Sequence, residues 1–263
     1  MKKFLVIGNP IEHSLSPTLH NYWIKRNNID AVYNKKKLDI SGLENLIKDV
    51  REKKIDGINV TVPFKNSVIP FLDKLSNDAK KTQSVNTIYL KDEKVVGHNT
   101  DIEGFELAVK NINYDVSDKK VLLLGAGGVS PSIILALYNM QAKNILLSNR
   151  TQNKAENLKK IFTKIEIVEW GTIPDFDMII NATSLGLKVE DKINLDFSNI
   201  KKNKFFYDII YNPKETNFLK NARVLGNKVA NGKKMFIYQA ALAFEIWHGI
   251  QPEINEKVSE LLD

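Results

Sequence analysis

VLLLGAGGVSPSIILALYNMQAKNILLSNRT, residues 121–151, is the stretch from which the rest of the chain can be placed. An apolar run over 121–124 meets a glycine turn made of Gly125, Gly127 and Gly128. A helix with Ile133, Ile134 and Leu137 at helical spacing follows, and then a second apolar run over 145–147. Strand, turn, helix and strand in this order make a βαβ unit. Glycine belongs where the backbone turns tightly and lets a pyrophosphate come close, and the helix start behind it offers N–H groups and a partial positive charge. The stretch therefore reads as a dinucleotide site.

The G-x-G-x-x-G/A fingerprint is met at Gly125 and Gly127, whereas the third small position holds Ser130. Where an NAD site carries an acidic side chain for the ribose 2′-hydroxyl, roughly 20 residues on, this chain has Asn149-Arg150-Thr151, with Lys154 one turn later. An arginine fork beside a hydroxyl suits a phosphate, so NADP is favoured over NAD.

With 263 residues, 43% of them hydrophobic, the chain is long enough for two domains of ordinary size. Its net charge of +7 comes from lysines spread along the sequence, not from a stripe with interleaved aromatics. The excess reads as solvated surface and attraction for small anions, with no nucleic acid as partner. The absence of cysteine excludes disulfides and thiolate catalysis, and His13, His20, His98 and His248 lack metal-ligand spacing, so no metal is expected. Only four apolar residues separate Met1-Lys2-Lys3 from Gly8-Asn9-Pro10, too few for a signal sequence, and no apolar run approaches a membrane span. The expected location is the cytoplasm, with no membrane partner.

Before the βαβ unit, a strand over 4–7 leads to His13-Ser14-Leu15-Ser16-Pro17 and a helix. Ser16 before Pro17 reads as an N-cap, which leaves Ser14 available as part of an anion or carboxylate receptor. A strand over 32–38 precedes a helix that Ser41 and Glu44 would open as a capping box. In residues 56–65, DGINVTVPFK, Ile58, Val60 and Val62 alternate with Asn59 and Thr61, and Pro63 ends the strand just before Lys65. Strand ends are where open α/β sheets place ligands. After Gln83-Ser84-Val85-Asn86-Thr87 a hairpin leads to Gly97-His98-Asn99-Thr100-Asp101. Asp101 opens the next helix, where a plain N-cap is the alternative to a chemical role; His98 reads as a surface turn residue, and 113–120 as a polar linker.

Beyond the βαβ unit, Asn181-Ala182-Thr183-Ser184-Leu185-Gly186 ends a strand over 178–180 on the cofactor side. A strand over 204–210 leads to Tyr211-Asn212-Pro213. The last long helix, 235–249, is apolar nearly all round apart from Gln239, and a helix so buried is expected to return to the N-terminal part. The expected architecture is α/β in two domains: an N-terminal α/β substrate domain, 1–102 completed by 237–263, and a Rossmann doubly wound dinucleotide-binding domain, 103–236.

HSLSP, NVTVPFK, QSVNT, GHNTDIEG, GAGG, NRT, NATSLG, YNPKET and NGKKMFIYQAALAFEIW, in this order over nearly the whole chain, resemble the shikimate dehydrogenase family. The resemblance implies reversible NADPH-dependent reduction of 3-dehydroshikimate to shikimate, a step of aromatic amino-acid biosynthesis. It implies that Ser14 and Ser16 bind the substrate carboxylate. Thr61, Lys65, Asn86, Asp101 and Gln239 would face its ring hydroxyls, and Tyr211 would close the pocket. Gly125, Ala126, Gly127 and Gly128 would hold the pyrophosphate, Asn149, Arg150, Thr151 and Lys154 the 2′-phosphate, and Thr183, Gly232 and Met235 the nicotinamide end. Lys65 and Asp101 would form the catalytic acid/base pair, with Lys65 as the proton donor. Ser130-Pro131 departs from the small residue and arginine common in the family, which puts one pyrophosphate contact in question. A quinate/shikimate dehydrogenase of broader range and a non-catalytic ligand sensor stay open beside this expectation, as does a homodimer.

Overall fold

The 121–151 unit supplies two adjacent strands, one of them central, to a six-stranded sheet in the computed structural model, which describes residues 1–188, 190–193, 195–198 and 200–263. The chain divides into two compact units, residues 1–104 with 237–263, and residues 105–236. The divisions fall inside helices, so residues 113–120 are not a linker between the units but the approach to a strand of the second.

In the first unit the chain runs β1 (Lys2–Gly8), α1 (Ser16–Arg26), β2 (Ala31–Lys37), α2 (Leu43–Arg51), β3 (Gly57–Val60), β4 (Lys74–Leu75), α3 (Asn77–Thr82), β5 (Thr87–Lys91), β6 (Lys94–His98) and the start of α4 (Asp101–Asn111). The strands order as β2-β1-β3-β5-β6-β4. β1 runs parallel to β2 and β3, while β5 is antiparallel to both β3 and β6. α2 packs Leu43, Leu46, Ile47 and Val50, one helical face, against Ile7, Ile58, Val60 and Ile88. Each such side chain contributes roughly 1.5–3 kcal/mol by leaving water.

Two expected caps form differently. Ser16 is the first helical residue of α1 and caps nothing; its N–H donates to Ser14 Oγ at 3.3 Å. Residues Ile40–Gly42 form a 3-10 turn, so α2 begins at Leu43 and no capping box is made by Ser41 and Glu44.

The second unit contains β7 (Lys120–Leu124), α5 (Ser130–Asn139), β8 (Asn144–Ser148), α6 (Gln152–Ile161), β9 (Glu166–Val168), β10 (Met178–Asn181), β11 (Phe205–Asp208), α7 (Asn217–Val224), β12 (Lys228–Ala230) and the first turn of α8 (Lys233–His248). The rest of α8 and α9 (Glu256–Glu260) belong to the first unit. Its sheet is parallel throughout, in the order β12-β11-β10-β7-β8-β9. That is the doubly wound order, which reverses between β7 and β10 and puts the ligand crevice at their C-terminal ends. β7 reads as an unbroken apolar run because Val121, Leu122, Leu123 and Leu124 are covered on both faces.

Candidate active site

The first unit gathers its polar side chains at the C-terminal ends of β1 and β3 and the start of α4. Lys65, five residues past β3, lies buried with its Nζ donating to Asp101 Oδ2 at 2.6 Å. Asp101 is the first residue of α4; its other oxygen accepts from Asn86 Nδ2 at 2.9 Å. Asn99 Oδ1 takes the Asp101 N–H at 3.0 Å, which leaves the Asp101 carboxylate to the ion pair and the amide. A buried pair of this kind persists only when its remaining donors and acceptors are satisfied.

That satisfaction extends through five further side chains. Asn86 Oδ1 accepts from the Thr100 N–H at 2.8 Å and from Thr87 Oγ1 at 3.0 Å. Thr87 Oγ1 accepts from Asn59 Nδ2 at 3.2 Å, and Asn59 Oδ1 accepts from the Tyr33 hydroxyl at 2.6 Å. Burial pushes the Tyr33 phenol well up from its ordinary value, and a hydrogen bond from Ser16 opposes this in part. The bonds thus run without a break from Ser16 to Lys65. Gln239, on α8, reaches the same cluster: its Oε1 accepts from Asn86 Nδ2 at 3.4 Å. The helices meet closely there, since a Cβ at Gly104 would stand 2.8 Å from the Gln239 Cβ. Ser14 and Thr61 are half-buried; Ser14 borders the cluster through Ser16, and the Thr61 N–H donates to Ile7 O at 2.9 Å.

Asn59, Thr87, Thr100 and Tyr33 were not legible as functional from sequence. Asn59 and Thr87 stand on β3 and β5, and the polar face of NVTVP is the sequence signal for the first. His98 is half-buried, not a surface residue; its Nδ1 has no partner among the described residues, and burial holds its imidazole below the ordinary value.

In the second unit the loops after β7, β8, β10 and β11 converge at one edge of the sheet. Gly125 has φ of +105°, and a Cβ on it would stand 2.9 Å from Ala182 O, so the turn after β7 needs glycine on both counts. Gly127 and Gly128 are exposed. Asn149 joins two loops: Oδ1 accepts the Ala126 N–H at 3.0 Å, and Nδ2 donates to Thr151 O at 2.7 Å. Arg150 and Thr151, just past β8, and Lys154, in the first turn of α6, are exposed to solvent.

After β10, Asn181 Oδ1 accepts the Thr183 hydroxyl at 2.7 Å. After β11, Asp208 is fully buried and accepts from Asn181 Nδ2, the Ile210 N–H and the Thr216 hydroxyl at 3.1, 3.0 and 2.7 Å. Burial pushes its carboxyl up to about 6 against those three bonds. Tyr211 stacks on Phe236 with ring centroids 4.3 Å apart. A Cβ at Gly232 would fall 1.9 Å from Ile209 O, so no other residue fits, and Met235 is buried one turn on.

Two half-sites are thereby defined, one with a buried lysine–carboxylate pair and the other with a glycine turn and a basic rim. The profile described as "Shikimate dehydrogenase substrate binding domain" matches residues 6–88, "Shikimate / quinate 5-dehydrogenase" matches 106–224, and "Shikimate 5'-dehydrogenase C-terminal domain" matches 234–256. The chain belongs to the shikimate dehydrogenase family. It is 60% identical to the shikimate dehydrogenase (NADP(+)) of Pelagibacter ubique over 262 residues, covering 100% of this chain and 99% of that one. The crystal structure of shikimate dehydrogenase from Aquifex aeolicus superposes with a TM-score of 0.91 at 38% identity, covering 100% and 97% of the two chains. The Thermus thermophilus shikimate 5-dehydrogenase, solved with NADP(H) and shikimate, superposes with a TM-score of 0.91 at 30% identity, covering 100% and 98%. The shikimate dehydrogenase fold is thus matched along the whole length of both units, including the helix that carries Gln239.

Proposed function

We propose that Lys65 and Asp101 are the proton-transfer pair of this enzyme, which catalyses the reversible NADPH-dependent reduction of 3-dehydroshikimate to shikimate in aromatic amino-acid biosynthesis. The observation that carries the assignment is their buried 2.6 Å contact, made by residues from two different chain segments in a member of this family.

Residues on both units fit their ligands. The outer side of the glycine turn is open, since a Cβ at Gly127 would meet only Ala182 O, at 3.9 Å. Gly125, Ala126, Gly127 and Gly128 would hold the pyrophosphate of NADP, Arg150, Thr151 and Lys154 with Asn149 its 2′-phosphate, and Thr183, Gly232 and Met235 its nicotinamide end. When bound, the nicotinamide supplies the hydride and takes it back in the reverse direction.

On the substrate side, Ser14 Oγ already accepts the Ser16 N–H, so the Ser14 hydroxyl proton is available to a carboxylate oxygen. Ser16 would complete that receptor. Thr61, Asn86 and Gln239 would orient the ring hydroxyls, and Tyr211 would cover the ring. As the carbonyl oxygen gains negative charge, Lys65 delivers a proton to it; in reverse, the pair accepts the hydroxyl proton. Asp101 fixes the Lys65 ammonium and, through its second oxygen, the Asn86 amide.

Among the described residues no helix is long and apolar enough to cross a membrane, and the cytoplasm is the proposed place of reaction. A small-molecule substrate is the partner, and light scattering on the purified protein reads whether a homodimer forms.

The test is an absorbance assay of nicotinamide reduction, run with shikimate or quinate and with NADP+ or NAD+. Turnover is expected with shikimate and NADP+. Absence of turnover with every combination would leave a ligand sensor, and preference for quinate or NAD+ would replace the substrate or cofactor named here. Arg150→Ala separates the cofactors: loss of a charge-assisted bond to the 2′-phosphate should raise the Kd for NADP+ roughly tenfold or more. The Kd for NAD+ should stay within about twofold of its starting value, because NAD+ has no 2′-phosphate. Equal weakening of both would place Arg150 elsewhere than at the 2′-phosphate.

A further inference from the structure

The glycine turn is held from within by a side chain that the fingerprint does not require. Ser130, the first residue of α5, is fully buried. Its hydroxyl donates to Gly125 O at 2.9 Å, and the same oxygen accepts the Gly127 N–H at 3.1 Å. Because a carbonyl oxygen can only accept, the proton position on Ser130 is fixed by Gly125, and Ser130 must be the acceptor for Gly127. Its own N–H closes a third link, to Gly127 O at 3.1 Å. One residue therefore binds both arms of the turn.

The start of α5 is also poorer in open donors than a helix N-terminus usually is. Pro131 has no N–H, and the Ser132 and Ile133 N–H groups both donate to Val129 O, at 2.9 and 3.1 Å. The Ala126 N–H is held by Asn149. Anion binding at this turn thus depends on the shape in which the few remaining donors are presented. Gly127 is the exposed one whose partner is a neutral hydroxyl. A phosphate oxygen is a stronger acceptor and can share that N–H in a bifurcated bond without moving the turn.

We infer that Ser130 is a positioning residue for the cofactor, holding the turn of residues 125–128 in its pyrophosphate-binding shape. The inference rests on the NADP-binding role proposed above. It gives Ser130 the role that a third small fingerprint residue would leave to packing alone, and it explains how a turn followed by proline keeps its form.

The pyrophosphate is common to both nicotinamide dinucleotides, and this gives the test its signature. Ser130→Ala should raise the Kd values for NADP+ and NAD+ by the same factor, about fivefold, the loss expected from one or two neutral hydrogen bonds. The ratio of the two Kd values should not move, in contrast to Arg150→Ala. Isothermal titration of the purified enzyme with each dinucleotide reads both values, and a thermal melt of the same samples shows whether the fold is kept. Ser130→Cys, nearly isosteric and a weaker hydrogen-bonding group, should weaken both cofactors to a smaller extent and carries the test if the alanine variant does not fold. Affinity unchanged within twofold in the folded variants would overturn the inference. So would tighter binding, which would mean that Ser130 competes with the pyrophosphate for the Gly127 N–H. Failure of the unsubstituted enzyme to bind either dinucleotide would instead overturn the cofactor role itself.

Discussion

Lys65→Ala is expected to lower kcat by roughly 10²- to 10⁴-fold, the range spanned by a single general acid or base, while the Kd for NADP+ stays within about twofold. The cofactor groups lie on the second unit and Lys65 on the first, so the two measurements separate chemistry from nucleotide binding. The substitution has a second effect. It leaves Asp101 buried with Asn86 as its side-chain donor, and removing one partner of a buried pair destabilises by about 3–5 kcal/mol. A melt should therefore show Lys65→Ala below the unsubstituted enzyme. Adding Asp101→Asn removes the uncompensated charge and should restore most of the melting temperature without restoring turnover. Recovery of turnover in the double variant would remove Lys65 from the proton-transfer role.

The other large effect concerns acid. His20 on α1 is buried with neither ring nitrogen partnered among the described residues, stacked on Tyr33 at 4.2 Å and enclosed by Trp23, Phe244 and Trp247. Burial, with the nearby His248, depresses its imidazole to about 3. His248, half-buried, falls to about 4 through burial and the charge of Lys2, with Asp56 opposing. Both folded values lie below the unfolded value near 6.5, so below that pH the unfolded chain binds more protons. Stability is complete above about pH 6.5 and falls as pH drops toward 3. For His20 alone the loss between pH 7 and pH 4 is about 3 kcal/mol. His248 adds a smaller amount, because water reaches half of it. His20→Phe keeps a ring against Tyr33 and removes the titrating group, so thermal melts should show a shallower acid limb for this variant. Superimposable pH profiles for the two proteins would show that acid sensitivity arises elsewhere.

The glycine turn and the strands around it were legible because their signals are local. Backbone geometry asks for Gly125, and burial on both faces asks for an unbroken apolar β7. Lys65 and Asp101 each stand in a motif that the sequence shows, but no local signal pairs residues 36 positions apart; the family resemblance alone carried that expectation. Asn59, Thr87 and Tyr33 were harder still, because a polar residue on a strand looks the same whether solvent or another side chain satisfies it. The starts of α1 and α2 differ from the expected caps for a related reason. A serine ahead of a helix predicts a cap only if its hydroxyl turns to the backbone; at Ser16 it turns to Tyr33, and at Ser41 a tight turn intervenes. Ser130 breaks the fingerprint in sequence, and only the two bonds of its hydroxyl place it inside the turn.

The division of the chain has a consequence for how the protein comes into being. Residues 105–236 are continuous, so the second unit has all its strands once that segment has left the ribosome, and domains generally fold as units in the order of synthesis. The first unit does not. Trp23 Nε1 donates to Glu253 O across 230 positions, and Trp247 Nε1 to Ile88 O across 159. Its earlier strands must wait, with Phe4, His20 and Trp23 uncovered, until residues 237–263 arrive. The half of the protein made first is the half finished last, and the apolar surface left open in that interval is where a chaperone would have most to hold.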